Sequence, residues 1–295
     1  MTVLDRLQSF AQRRESESLL RRNAYFAAIV YAAQLHGCAD AARESSSADS
    51  AADIGTHYVV TGRGEPVVLV HGFSQTHAAW VATPVYEDLV RDHKVIAVDL
   101  RGHGDSDKPY DPMAYGPNMQ SDLVELLDHL DIDRAHFVGF SLGANIVGDL
   151  VVSSPERVQT ATMGSGYFTT WDEGEEIFAQ LTEDRAATDE RYPWEPENQD
   201  YRALAAVIRG ARNSVVGPGQ IASINTPTLM VFGSIEVENM SERQRARLEN
   251  VPDSITVLII EGADHDSSKA AILHPEFTRA VRNLIASNPI QSADR

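Results

Sequence analysis

One serine stands between two glycines at the point where an apolar run changes period. Residues 139–143 read Gly-Phe-Ser-Leu-Gly, and the middle residue, Ser141, follows the apolar stretch AHFV and precedes a helical pattern. Glycine tolerates backbone geometry that a side chain would crowd, so this spacing suits a sharp turn from strand to helix. The segment is therefore either an ordinary turn or a turn that presents a hydroxyl for nucleophilic attack.

Four other predicted strands also end in reactive or special residues. In an open parallel sheet, ligands bind beyond the carboxyl ends of the strands, so residues at these ends can meet at one edge. The four segments are His71-Gly72-Phe73, Asp99-Leu100-Arg101-Gly102-His103-Gly104-Asp105-Ser106, Gly233-Ser234-Ile235-Glu236 and Glu261-Gly262-Ala263-Asp264-His265. A serine, an acid and a histidine all fall at strand ends.

The elements that must position these residues alternate between short apolar strands and helical patterns. Strands are predicted at HYVVT, VVLVH, KVIAV, AHFVG, VQTATMG, PTLMVFG and ITVLII, the first two joined by GRGEP as a hairpin. Helices are predicted at about 77–91, 118–130 and 275–286, and another opens at Ser141. This alternation predicts an α/β fold with a mostly parallel open sheet that is flanked by helices on both faces.

A long stretch without a strand pattern follows the strand near 157–163. It covers about 60 residues that are rich in Trp, Tyr and acidic side chains. We interpret it as a small helical lid at about 166–225, inserted into the main domain at 55–295.

From about residue 57 to residue 287, the sequence resembles the α/β-hydrolase superfamily, in its serine esterase-like branch. Residues 139–143 look like its nucleophile elbow, in which a strand turns sharply into a helix. The resemblance implies that Ser141 is the nucleophile and that His265 is its base. The stretch DLRGHGDSDKP also resembles a recurrent segment of the superfamily, with an architectural role.

The resemblance also implies an orienting acid and an oxyanion hole. The acid fixes the imidazole tautomer, and its position corresponds to Glu236, with Glu238 as the near alternative. Asp172 and Glu173 are more distant alternatives for the acid. The oxyanion hole would consist of the backbone N–H groups of Phe73 and Leu142.

Aromatic side chains are candidates for an apolar substrate pocket under the lid. Ligand pockets are mostly apolar with few polar groups, and the alternative for each residue is packing in the core or the lid. The predicted substrate-binding residues are Trp80, Tyr167 and Phe168, and Trp171 and Trp194 belong to the same group of aromatic residues.

These features predict a serine hydrolase that cleaves a small-molecule carboxylic ester through an acyl-enzyme. C–C bond, lactone or amide hydrolysis and perhydrolase activity use the same three residues and stay open, because fold alone does not choose among them. A serine at the elbow disfavours the dehalogenase and epoxide hydrolase chemistries of the superfamily, which use an aspartate there. A non-catalytic ligand-binding protein on the same fold is the alternative of another class.

The charge and the cysteine content of the chain limit the kinds of partner and ligand that it is expected to bind. The chain has 295 residues with 43 acidic and 25 basic side chains, a formal net charge of −18, which repels nucleic acids and anionic membranes. The chain contains one cysteine, which excludes a cysteine-rich metal cluster, and no nucleotide-binding fingerprint is present. We therefore expect a small-molecule substrate, no nucleic acid, no metal and no cofactor. The oligomeric state is not predicted.

Residues 1–54 form a separate N-terminal segment, which we interpret as helical or signal-like and followed by a flexible tether. The order of LLRRNAYFAAIVYAAQLHGC and the Ser/Ala-rich run after it resembles a bacterial lipoprotein signal, with Cys38 as the acylated residue and membrane tether. The alternative is a surface or partner-docking helix at roughly 17–36. The apolar run is too short for a membrane-spanning helix. We expect a cytoplasmic protein, with an exported protein anchored through Cys38 as the alternative.

Overall fold

The computed structural model of the chain covers the predicted main domain with short gaps. It describes residues 55–166, 173–188, 195–196, 199–214, 216–240, 244–245, 248, 251–265 and 268–290, and for residues 44–49 and 173–175 it describes the backbone alone. Cys38 and the helix or signal predicted before it lie outside the described residues, so these interpretations stay predictions. The strand at residues 44–49 falls in the segment for which we predicted a tether.

Eight strands of the described chain form one open sheet. Its strands are β1 Glu44–Asp49, β2 Gly55–Thr61, β3 Glu65–Val70, β4 His93–Val98, β5 Ala135–Phe140, β6 Val158–Gly164, β7 Thr228–Gly233 and β8 Ile255–Ile260. They lie in the order β1-β2-β4-β3-β5-β6-β7-β8. The pairs β1–β2 and β2–β4 are antiparallel and the other neighbours are parallel. The prediction of a mostly parallel open sheet is confirmed.

The predicted hairpin between β2 and β3 is wrong. Strand β2 pairs with β4, and β4 lies between β2 and β3. The connection crosses the start of β4 so closely that a Cβ on Gly62 would overlap the carbonyl oxygen of His93, and one on Gly64 would overlap that of Asp92. Both glycines also have positive φ, at 80° and 124°. The glycines of this turn therefore allow the chain to pass close to the start of β4, and they do not form a two-strand hairpin.

Helices cover both faces of the sheet. The described helices are α1 Ala78–Val81, α2 Pro84–Leu89, α3 Pro117–His129, α4 Leu142–Ser153, α5 Glu173–Asp184, α6 Tyr201–Ala211, α7 Pro218–Ala222, α8 Ser234–Glu238 and α9 Pro275–Ser287. Single 3₁₀ turns lie at Pro112–Ala114, Pro155–Arg157, Arg185–Ala187, Arg212–Ser214 and Ala271–Leu273. None of the helices in these ranges combines the length and the apolar character needed to cross a membrane.

Side chains of alternate residues in the central strands pack into two separate hydrophobic cores, one on each face of the sheet. Val68 and Val70 of β3 belong to the cluster that contains the apolar faces of α3 and α4, whereas Val67 and Leu69 belong to the cluster with α2 and α9. The near-continuous apolar runs of these strands arise because side chains on both faces are buried. The prediction of helices on both faces is confirmed.

The helix predicted at 77–91 is two short helices. Thr83 lies between them and accepts a hydrogen bond from the backbone N–H of Tyr86, at 3.3 Å, and Pro84 occupies the first position of α2. Proline lacks the N–H that a continuous helix would need and fits the first turn of a new one. The break therefore follows from the local sequence Thr-Pro.

Helices α5, α6 and α7 lie between β6 and β7, in the segment for which we predicted a lid. Arg209 of α6 donates to Glu176 at 2.9 Å and to Glu183 at 2.8 Å, both on α5. These charge-assisted bonds join the first two helices of the insertion.

Candidate active site

The turn between β5 and α4 has strained backbone geometry at Ser141. Its φ is 54° and its ψ is −115°, values that a residue with a side chain rarely adopts. A Cβ on Gly143 would overlap the carbonyl oxygen of Val70, and one on Gly139 would overlap that of Gly143. The two glycines of the pentapeptide are therefore required for close packing, and the turn presents the serine beyond the end of the strand.

Three side chains from three strand ends meet at this turn. The Nε2 atom of His265 lies 3.1 Å from the Oγ atom of Ser141, and the Nδ1 atom of His265 lies 3.4 Å from Oε1 of Glu236. The first distance is that of a hydrogen bond, and the second is slightly long for one but within reach of an ion pair.

Glu236 has the environment of an orienting acid. It lies in the first turn of α8 with 9% of its surface exposed, and its Oε2 atom accepts a hydrogen bond from the Ser165 hydroxyl at 2.7 Å. Glu238, the near alternative, is exposed on the same helix. Asp172 and the side chain of Glu173 lie outside the described residues. Of the two glutamates on α8, the structure brings Glu236 to His265.

Ser165 is a site residue that the sequence analysis missed. It follows β6 directly, has a φ of 55°, is 2% exposed, and its backbone N–H donates to the carbonyl oxygen of Val231 at 2.7 Å. The signal was present in the sequence, because the rule that reactive residues follow parallel strands applies to β6 as well.

The loops that carry the acid and the histidine are bonded to each other. The N–H of Ile235 donates to the carbonyl oxygen of Ala263 at 3.1 Å, and the N–H of Gly262 donates to Ser234 Oγ at 3.0 Å. The ring of Phe140 lies 5.3 Å from the His265 ring, and 38% of the His265 side chain is exposed. The imidazole is thus supported on one side and accessible to solvent.

The loop after β3 lies beside the serine. A Cβ built on Gly72 would be 3.4 Å from the Cβ of Ser141. Gln75 Oε1 accepts the N–H of Gly72 at 3.0 Å, and this bond holds the loop in place. Within the described part of the chain, neither the N–H of Phe73 nor that of Leu142, the first residue of α4, has a hydrogen-bond acceptor. Leu142 follows Ser141 in the chain, and Phe73 follows Gly72, whose Cβ position lies beside the serine.

Two buried histidines lie behind this loop and are neutral. His71 donates from Nδ1 to the carbonyl oxygen of Gly72 at 2.7 Å and accepts from the N–H of Leu100 at Nε2, at 3.0 Å. Burial lowers the pKa of His71 to about 4 and that of His103 to about 3. Their rings lie 5.1 Å apart. Within the described residues neither histidine is hydrogen bonded to Ser141, and the bonds of His71 support the loop.

Of the three predicted substrate-binding residues, Trp80 lies in the described part of the chain. Trp80 is 1% exposed and packs in the core cluster with α2 and α9, so its placement in a substrate pocket is wrong and core packing is its role. Tyr167 and Phe168 lie outside the described residues, as do Trp171 and Trp194. An aromatic residue that the sequence analysis did not select, Phe178 of α5, lies 5.4 Å from the ring of Phe73 and is 48% exposed.

Comparison with known proteins identifies the family. A model of the alpha/beta hydrolase fold matches residues 65–235, which is more than half of the chain. The chain therefore belongs to the alpha/beta hydrolase fold family. Esterase YbfF of Escherichia coli (strain K12) is 43% identical over 94 residues, which cover 32% of this chain and 35% of that protein. Epoxide hydrolase 3 of Siraitia grosvenorii is 36% identical over 104 residues, which cover 35% of this chain and 33% of that protein.

Solved structures share the fold over most of the chain. The carboxylesterase CesB (YbfK) from Bacillus subtilis has a TM-score of 0.65 at 22% identity and covers 89% of this chain and 97% of that one. The curated relatives, by contrast, are matched over well under half of their own length. The comparisons thus define the family and the fold of the chain.

Proposed function

We propose that the protein is a serine hydrolase that cleaves small-molecule carboxylic esters. The observation that carries this proposal is the contact of His265 Nε2 with Ser141 Oγ at 3.1 Å, with a buried carboxylate at the other ring nitrogen. A serine hydroxyl is a weak nucleophile at neutral pH and needs a base at this distance. The similarity to Esterase YbfF supports an ester as the substrate class.

The proposed reaction is a two-step acyl transfer. His265 Nε2 takes the hydroxyl proton of Ser141 while Oγ attacks the carbonyl carbon, and the alcohol then leaves with that proton. Water attacks the acyl-enzyme in the second step, His265 takes its proton, and the proton returns to Ser141 as the acid is released. Glu236 keeps the other imidazole proton on Nδ1 and stabilises the imidazolium.

The proposed oxyanion hole consists of the N–H groups of Phe73 and Leu142. Leu142 follows Ser141 directly at the start of α4, and Phe73 follows Gly72 in the loop beside the serine, which supports this assignment. Removal of one such donor costs about 3 kcal/mol in a serine protease. The α4 N-terminus adds a positive dipole end at the position where negative charge develops.

Epoxide hydrolysis is not proposed, although relatives with that name are similar in sequence. In that branch of the superfamily an aspartate at the elbow forms the covalent intermediate, and Ser141 occupies that position here. Hydrolysis of C–C bonds, lactones or amides and perhydrolase activity remain compatible with the same residues.

Labelling with a fluorophosphonate and ester assays test the proposal. We expect the full chain to be labelled and to hydrolyse p-nitrophenyl esters, and Ser141→Ala to lose both, with kcat reduced by roughly 10³-fold or more. The control variant Ser121→Ala removes an exposed hydroxyl on α3 and keeps both signals. Equal labelling of the Ser141→Ala variant contradicts the proposed nucleophile. Labelling without hydrolysis across acyl chain lengths contradicts the ester substrate alone.

A further inference from the structure

Two histidines and an aspartate from three elements converge at a place that the proposed reaction does not use. His57 lies in β2, His77 directly precedes α1, and Asp99 directly follows β4. The Nδ1 atom of His57 lies 2.9 Å from Asp99 Oδ2, and the Nδ1 atom of His77 lies 2.9 Å from Asp99 Oδ1. One ligand atom from each residue lies within 4.8 Å of the other two.

The aspartate is a buried anion without a permanent cation beside it. Its side chain is 1% exposed, and its oxygens also accept the N–H of His77 at 2.7 Å and of Asp105 at 3.0 Å. Within the described ranges no lysine or arginine pairs with it, and its ion-pair partners are the two histidines. Buried charges are normally paired or coordinate a metal, so this carboxylate favours a bound cation.

The two imidazoles make the cluster accessible and select the kind of ion. Their side chains are 18% and 23% exposed, so the cluster extends from the buried carboxylate to the protein surface. Imidazole nitrogen together with a carboxylate oxygen suits Zn²⁺, Cu²⁺ or Ni²⁺, whereas Ca²⁺ and Mg²⁺ prefer oxygen ligands alone.

We propose that His57, His77 and Asp99 bind a divalent transition-metal ion of the Zn²⁺ class. Bonds to zinc of about 2.0–2.2 Å place ligand atoms of a tetrahedral site about 3.3 Å apart. The two N–O distances of 2.9 Å end on different oxygens of Asp99, and one ligand atom from each residue lies within 4.8 Å of the other two, so small side-chain shifts bring all three around one ion. Each imidazole then carries its remaining proton on Nε2, and water takes the fourth position. The N–H groups of His77 and Asp105 orient the carboxylate from outside the site.

The site is separate from the proposed active site. None of its three residues is hydrogen bonded to Ser141, His265 or Glu236 in the described part of the chain. No metal was expected from the sequence because the chain lacks a cysteine cluster, and the three ligands lie about 20 residues apart, without a short motif. The fold brings His57 to Asp99 because β2 and β4 are neighbours, and the N–H of His77, on the connection after β3, donates to the same carboxylate.

Titration calorimetry with Zn²⁺ tests the proposal. The full chain without a polyhistidine tag is treated with EDTA, freed of the chelator and titrated at pH 7.5. We expect a one-to-one site whose affinity falls at least tenfold in His57→Asn and in His77→Asn. The control His93→Asn makes the same change at a histidine paired with Asp92 at 2.6 Å but without a second histidine, and it keeps the affinity.

Two further measurements test whether the metal site is independent of the proposed reaction and where the ion binds. Ser141→Ala is expected to bind Zn²⁺ as the unchanged chain does, so the test does not depend on the proposed reaction. Crystals of the unchanged chain soaked in Co²⁺ are expected to show anomalous density between the three side chains, which covers the case of variants that do not fold. The absence of a zinc site in the unchanged chain, full affinity in both Asn variants, or no anomalous density at the cluster would overturn the proposal.

Discussion

At the level of single residues, Glu236 is distinguished by the partners of its carboxylate group. Each of its carboxylate oxygens has a separate partner, the His265 ring on Oε1 and the Ser165 hydroxyl on Oε2. A carboxylate held on both oxygens in a buried place fixes the position and tautomer of the imidazole.

Separate glutamine substitutions at the two glutamates of α8 test which of them orients His265. We expect Glu236→Gln to lower kcat for ester hydrolysis by roughly 10²- to 10⁴-fold, because a neutral amide neither stabilises the imidazolium nor enforces the tautomer. The exposed Glu238→Gln is the matched control and should stay within about twofold of the unchanged protein, because surface changes have small effects. Steady-state kinetics measure both variants, and circular dichroism verifies their folding. An equal loss in both variants contradicts the assignment.

At the scale of elements, the site depends on how closely α4 approaches β3. Gly143 in the first turn of α4 lies so near β3 that a Cβ would overlap the carbonyl oxygens of both Val70 and His71. These carbonyls belong to the strand end that leads into the Phe73 loop. The same contact therefore packs the helix and brings the turn at Ser141 close to the strand end that leads to Phe73.

A methyl group at Gly143 is expected to disturb both stability and geometry. Gly143→Ala should lower the free energy of unfolding by about 3 kcal/mol, since the overlapping atoms are backbone and cannot rotate away. Gly219→Ala is the control in another helix, because no atom lies within 4 Å of its Cβ position, and it should be neutral or stabilising by roughly 0.5–1 kcal/mol. Urea unfolding measures both. A stability unchanged by Gly143→Ala contradicts the close approach.

Local sequence patterns predicted the strands of the main domain, whereas the order of the strands and the burial of Trp80 depend on packing between distant parts of the chain. Apolar runs and the glycine spacing predicted the strands and the turn at Ser141, and the family resemblance implied the roles of His265 and Glu236. The order of strands was not accessible in this way, because nothing local in GRGEP distinguishes a hairpin from a crossing over β4. Trp80 was misplaced because an aromatic residue near a site loop has the same local signature in a pocket and in a core.

At the scale of the whole molecule, the chain combines a large negative charge with buried neutral histidines. The formal net charge is −18, and His71 and His103 are 1% and 0% exposed. Burial disfavours the charged form of both, and for His103 the neighbouring His71 acts in the same direction, whereas the charge of Asp99 opposes it. The folded protein therefore binds fewer protons on these two side chains than the unfolded chain does.

This difference predicts that stability falls as the pH drops from about 6.5 towards 4. An unfolded histidine titrates near pH 6.5, whereas the folded pKa values are about 4 for His71 and about 3 for His103. Between these values the unfolded chain takes up protons that the folded chain does not, so acid favours unfolding.

His103→Phe removes one such group. We therefore expect the free energy of unfolding of this variant to fall by about 2–3 kcal/mol less between pH 7 and 4.5 than that of the unchanged chain. Urea unfolding in EDTA measures this, with the exposed His129→Phe as a control that retains the full loss. Parallel pH dependences for the unchanged chain and His103→Phe would show that His103 is protonated equally in both states.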